Sequence, residues 1–262
     1  AASDVRVETV GRGTTTVSGV IDASSANGAG GTIRVLGEHV ALQNATLDAS
    51  GTTGGRIMVG GNFYGQGPER NSTTTNVDAG STLRADGRTG DAGRVVAWSD
   101  GTTRFDGMIY ARAQGEVGSG GVAEVSGKQH VSIGGHAYLQ GKTGEGSFLI
   151  DPGSVTIVDG GNTAPGGALD TFNDAWIIDQ LQTGGATLTI STANSTNAGT
   201  EDLTVDAAAD LTYNSAQNLV LNGANSVVIN GTINNAGTGG LSLTGGAINV
   251  ANSVTVGGTF ST

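Results

Sequence analysis

The sequence predicts an all-β fold, a solenoid in which short strands stack coil upon coil as a parallel β-helix. Three observations predict it. Glycines punctuate the first part at a near-constant interval, at Gly30-Gly31, Gly54-Gly55, Gly93, Gly120-Gly121 and Gly146. The period is about 24–28 residues, the mark of a repeat architecture. Each boundary is followed by a short apolar or alternating segment of strand-forming residues. The composition agrees: 47 glycines and only three prolines among 262 residues exclude collagen, and the regular apolar segments exclude a disordered chain.

Taken in order, the boundary segments are Thr32 to Leu36, Arg56 to Val59, Arg94 to Trp98, Val122 to Val125 and Ser147 to Ile150. A second segment follows each by about ten to fifteen residues, as in Ala45 to Ala49, Gly107 to Ala111 and Gly135 to Leu139. One unit of this size cannot bury its own apolar face, so units stack about 4.8 Å apart and share a core. Alternation points Ile33 and Val35 inward and Thr32 and Arg34 outward, with Leu36 at a corner. The interval from Gly55 to Gly93 is longer, and the polar stretch from residue 62 to 75 accounts for it as a loop leaving the coil path.

Three regions of one continuous solenoid follow: residues 1–145, a transition coil at 146–185, and Thr/Asn-rich coils at 186–262. In the last region strands recur at Ala186 to Ile190, Leu203 to Val205, Leu211 to Tyr213, Leu219 to Leu221, Ser226 to Ile229 and Leu241 to Leu243. Strands also recur at Ala247 to Val250 and Ser253 to Val256. The asparagines at their ends, among them Asn222, Asn225, Asn235 and Asn252, suit corners, where asparagine bonds turn amides. One segment breaks the pattern. Residues 169, 172, 176, 177 and 181 are apolar at helical spacing, and Gly184-Gly185 stops the run, which predicts a short helix near 170–182. Asp170 or Thr171 is expected to cap it, Asp174 to complement its dipole, and Trp176 to pack it down. It is expected on an excursion against the side of the solenoid.

Charge is uneven. Residues 1–142 hold all twelve Lys and Arg with thirteen Asp and Glu, whereas 143–262 hold ten Asp and Glu and no basic residue, giving -11 in all. That tract without basic residues is poor material for binding phosphates or docking on anionic lipid, so neither nucleic-acid binding nor membrane insertion is expected. No stretch nears the roughly 18–20 apolar residues that span a bilayer. The absence of cysteine excludes disulfides and thiolate metal sites and suits export. The pattern is already under way at Ala1 and still running at Thr262, as expected of a processed product or an excerpt of a longer chain.

Three runs carry a family resemblance: Gly93 to Gly107 (GRVVAWSDGTTRFDG), Gly120 to Lys128 (GGVAEVSGK) and Phe148 to Ile157 (FLIDPGSVTI). With the helical segment and Thr187 to Asn194 after it, they resemble the filamentous-haemagglutinin-like exoproteins of two-partner secretion, over roughly residues 30–235. The resemblance implies a right-handed parallel β-helix on the bacterial cell surface, exported through an outer-membrane secretion barrel. It further implies a role in adhesion, biofilm or contact between cells. The family's secretion domain carries Asn-Pro-Asn-Leu motifs; this chain has no Asn-Pro, so it resembles the shaft that follows.

Chemistry finds little support. A β-helical polysaccharide-degrading enzyme needs two carboxylates converging within about 5–10 Å, yet Asp48, Asp78, Asp86, Asp100, Asp106 and Asp151 are spread along the axis near turns. His39, His130 and His136 show no metal-ligand spacing and are expected at exposed strand or corner positions. No nucleophile elbow or phosphate loop occurs. No catalytic residue, metal or cofactor is therefore expected. Binding remains, and sugars stack on aromatic rings: Tyr64, Trp98, Tyr110 and Tyr138 are the candidates, the last three expected to align on one edge. The expected partner is a host receptor or extracellular polysaccharide. Self-association into a fibre is the alternative, and a polysaccharide-degrading enzyme is the third reading.

Overall fold

The computed structural model describes residues 3–161, 168–193 and 201–262; Asn194, the last residue of the Thr187 to Asn194 run, lies outside them. The chain winds as a parallel β-helix with three faces, and every strand pair recorded between rungs is parallel. In the first coils each turn supplies one strand per face: Thr32–Leu36 to the first, His39–Leu42 to the second and Thr46–Asp48 to the third. The sequence segments after each glycine boundary form the first face, and the later small-residue segments form the third. The middle strands, such as Thr102–Phe105, are rich in threonine and carry the weakest apolar signal.

Register explains the core. Ile33, Ile57, Val95, Ala123, Phe148 and Leu188 are Cα partners from rung to rung and are all buried. Leu36 is buried as well, although it stands outside the continuous core that holds Ile33 and Val35. Asparagines hold the later corners. Asn235 accepts from the Ser215 and Gly237 amides (2.9 and 3.0 Å) and donates to the carbonyls of Ser215 and Gly239 (3.0 and 2.9 Å).

The long interval between Gly55 and Gly93 is, as the sequence predicts, a loop. It contains a 3-10 turn at Phe63–Gly65 and folds back over the outside of the first face.

The predicted helix is present as α1, Asp174–Thr183. Its position differs from the expectation. It does not lie beside the coils but within the stack, on the third face between His136–Tyr138 and Asp210–Tyr213. Trp176, Ile177 and Leu181 belong to the same continuous core as the strands. The expected caps differ too: Thr171 lies in the strand Thr171–Asn173, Asn173 occupies the cap position without its side chain bonding the first helical amides, and Asp170 pairs with Val131. Asp174 does sit in the first turn, and Gly184, followed by Gly185 at φ 68°, ends the helix.

An α-helix with side chains is about 10–12 Å thick and a rung about 4.8 Å, so α1 occupies the height of two rungs. The other faces match that height. The first face supplies Gly146–Asp151 and Ala186–Ser191. The second supplies Thr171–Asn173 and Val155–Val158, which pair with each other. They stand in inverted chain order: Val155–Val158 bonds onward to Asp202–Val205, while Thr171–Asn173 lies against His130–Ile133. Residues 146–161 and 168–191 thus form one double-height coil, widened inside by Phe148, Phe172 and Trp176; the Phe148 and Phe172 rings lie 6.5 and 6.3 Å from the Trp176 ring at edge-on or tilted angles.

A helix has no free backbone groups to offer a strand edge, so side chains take over. The Ala137 N–H donates to Gln180 Oε1 (3.1 Å) and the Ala137 carbonyl accepts from Gln180 Nε2 (2.7 Å), so the primary amide stands in for a peptide of the missing strand. Trp176 Nε1 donates to the Gly135 carbonyl (3.0 Å), and Leu139 N–H donates to the Gly184 carbonyl (2.7 Å). On the other side Asp174 Oδ2 accepts from Asp210 N–H (2.9 Å). Replacing Gln180 by Leu leaves two buried backbone groups unpaired, at a cost of roughly 2–5 kcal/mol. Denaturant unfolding of Gln180→Leu is expected to show that loss, while Gln182→Leu on the exposed side of α1 stays within about 0.5 kcal/mol. Equal losses at both positions would contradict the role given to Gln180.

Candidate binding surfaces

The four aromatic candidates do not form one edge. Tyr110 and Tyr138 meet: they are rung partners on the outside of the third face, stacked at 5.2 Å with 12° between planes. Trp98 lies on the first face and is fully buried, so it offers no surface. Tyr64 is on the loop over that face and is 40% exposed. The alignment expected from Trp98 to Tyr138 fails because Trp98, although its position points outward, is covered by the loop.

The third face carries an outward column in register: Asp22, Asp48, Arg84, Tyr110 and Tyr138. Rings one rung apart stack on each other rather than on a ligand. Tyr110 shares one side with Tyr138, and the guanidinium groups of Arg84 and Arg112 each lie 4.7 Å from its ring centroid. Asp86 holds both arginines. Its buried carboxylate accepts from Arg84 Nη1 (3.0 Å), from Arg112 Nε and Nη2 (3.1 and 3.0 Å) and from Gln114 Nε2 (3.1 Å). Burial raises the Asp86 pKa, but the Arg112 bonds and charge outweigh it and hold the group below the ordinary carboxylate range. The surface left to solvent is a ridge of guanidinium groups and tyrosine edges.

On the first face the loop leaves at Gly60 and crosses outward residues of several rungs: Met58, Val96, Trp98 and Glu124, which are all buried. Gly65 lies against the Trp98 ring, where a Cβ would stand 2.4 Å from ring atoms, so no larger residue fits that contact. Tyr64 adopts a left-handed backbone, φ 57°, and its N–H donates to Glu124 Oε2 (3.0 Å). Among the described residues Glu124 Oε1 has no hydrogen-bond partner. Burial pushes the Glu124 carboxyl up to about 7, against the Tyr64 amide, and the nearby Asp151 adds to the rise. Sequence reading missed this group, because alternation between Ala123 and Val125 places it outside and nothing local announces the cover.

The same loop makes a cleft of about 160 Å³ beside it, lined by Arg34, Arg56, Met58, Asn62, Glu69 and Arg94. Arg56 and Arg94 are Cα partners on adjacent rungs. The sequence shows both arginines directly after glycine boundaries, but not that the long interval brings them one rung apart.

Of the histidines, His39 and His130 stand on strands as expected and His136 does not match the expected exposure. His136 is buried, with Nε2 3.2 Å from Asp179, and burial lowers its pKa. His130 Nδ1 lies 2.6 Å from Asp170 Oδ2. Both carboxylate partners come from the double-height coil, far along the sequence. Among the described residues no three His, Asp or Glu converge to hold a metal ion. No helix among them is long and apolar enough to cross a membrane. The chain matches no protein-family model and no curated protein.

The Glu124 proton gives a signed pH dependence. The folded state holds the proton more tightly than the unfolded chain, so this group's stabilising share is full below the ordinary pKa near 4.5 and declines as pH rises to about 7. The interval corresponds to about 3 kcal/mol. Thermal unfolding between pH 5 and 8 is expected to show wild-type stability falling with pH, with the slope flattened in Glu124→Gln. An unchanged slope in that variant would count against a buried, proton-holding Glu124.

Proposed function

We propose that the chain is a structural shaft and adhesion module of a large secreted bacterial surface protein, of the filamentous-haemagglutinin-like kind, contacting extracellular polysaccharide along its sides. The observation that carries this reading is the continuous stack itself. Rung follows rung over about ten layers, roughly 45 Å, through one uninterrupted core, and polar ladders line its exterior. A rigid rod of this kind spaces and presents, and its flat faces suit extended polymers. Export through an outer-membrane barrel and a cell-surface location belong to the same proposal and rest on the resemblance of the three sequence runs.

Incubation with a panel of extracellular polysaccharides, followed by product analysis and negative-stain imaging, tests the proposal. Retention of at least one polymer at unchanged chain length, on monomeric rods, is the expected outcome. Reproducible cleavage would replace the shaft with an enzyme. End-to-end fibres without polymer retention would replace it with a self-assembling subunit.

A further inference from the structure

We infer that the cleft between the loop and the first face binds the carboxylates of an acidic, uronate-containing polysaccharide, with Arg56 and Arg94 as its principal contacts; this rests on the polysaccharide-binding reading above. Arg56 and Arg94 stand side by side on adjacent rungs and both are exposed. Like charges directly opposite in a sheet repel. Several other arginines are neutralised, Arg6 by Glu8, Arg70 by Glu38, and Arg84 and Arg112 by Asp86; exposed Arg12 and Arg88 have no ion pair among the described residues, but neither is a rung partner of another arginine. Among the described residues neither Arg56 nor Arg94 has a carboxylate within ion-pair distance, in a chain of net charge -11.

The single acid in the cleft wall is already committed. Glu69 accepts from Arg34 Nε (3.3 Å) with one oxygen and from Asn62 Nδ2 (3.0 Å) with the other. It braces the loop and fixes Arg34, which also pairs with Asp4. Arg94 is held with its guanidinium 4.7 Å from the Phe63 ring centroid. The Arg94 guanidinium is therefore positioned in advance, with Arg56 one rung away, and a guanidinium binds a carboxylate through two parallel N–H donors.

The shape selects an extended ligand. A second depression, lined by Gly54, Gly55, Ala92, Gly93 and Val122, opens on the other side of the same arginine pair. The pair is thus flanked on both sides, as a polymer lying across it requires. The lining favours a sugar acid over an acidic peptide. The apolar residues of the first depression, Ile57 and Met58, are 0% and 5% exposed, leaving donors and little apolar surface to hold peptide side chains.

Calorimetric titration with polygalacturonate, dextran and dextran sulfate separates the possibilities. Polygalacturonate is expected to bind, to weaken with added salt, and to lose about tenfold or more in affinity in Arg56→Ala and Arg94→Ala. Lys142→Ala, which removes the same charge from a residue lining neither depression, is expected to leave binding intact, and unfolding curves check that each variant folds. Arg56→Gln, which keeps much of the side-chain length without the charge, should behave as Arg56→Ala. Equal binding of dextran and polygalacturonate would overturn the site while leaving the shaft reading in place. So would tighter binding of dextran sulfate than of polygalacturonate, or loss of affinity as large in Lys142→Ala. No binding of any polymer would remove the site, and no retention across the wider panel would remove the shaft reading with it.

Discussion

Every rung of this molecule leaves a row of backbone N–H and C=O groups on each side, and each row must be met by the rung above or below. A buried, unpaired backbone group costs about 1–3 kcal/mol, so a coil that departs from the strand pattern has to replace what it removes. The double-height coil shows how. A helix is as thick as two strands, and the chain matches it by placing two strands on each of the other faces. That requirement explains the inverted order of Val155–Val158 and Thr171–Asn173: the second face needs one more rung there than a single pass supplies. Gln180, Trp176 and Asp174 then complete the edges that α1 cannot serve with its own backbone.

The outer surface follows from the same geometry. A ladder repeats each outward position every 4.8 Å or so, which drives neighbouring side chains into contact. Where rings repeat, they stack, as Tyr110 does on Tyr138; where charges alternate, they pair, as Arg84 and Arg112 do through Asp86. A site open to a ligand arises where this self-satisfaction fails. Arg56 and Arg94 repeat the same charge on adjacent rungs, and the loop over the first face draws the nearby acid, Glu69, to Arg34 and Asn62 instead.

Much of the fold was legible in the residues. Glycine boundaries, β-branched alternation and the long interval after Gly55 predicted the stack and its loop, and the spacing from 172 to 181 with Gly184-Gly185 predicted α1. Its placement was not legible, because Trp176 and Gln180 look alike to a helix packed on the outside and one built into the core. The partners that decide it, Gly135 and Ala137, lie some forty residues away. Of the binding candidates, Tyr110 and Tyr138 were correctly placed together. Trp98 was misjudged because alternation points it outward and only the fold-back of residues 60–72 buries it. Glu124 and the Arg56–Arg94 pair escaped notice for the same reason: each depends on register across the longest interval in the repeat.

Native-state hydrogen exchange at the edges facing α1 tests the central claim most directly. If the helix replaces two rungs, the amides of Ala137, Leu139 and Asp210, bonded to Gln180, Gly184 and Asp174, should be protected as strongly as interior amides of the first face such as Ile57 and Val95. Rapid exchange at these three positions, with the first face still protected, would show a helix resting beside an open edge and would contradict the account.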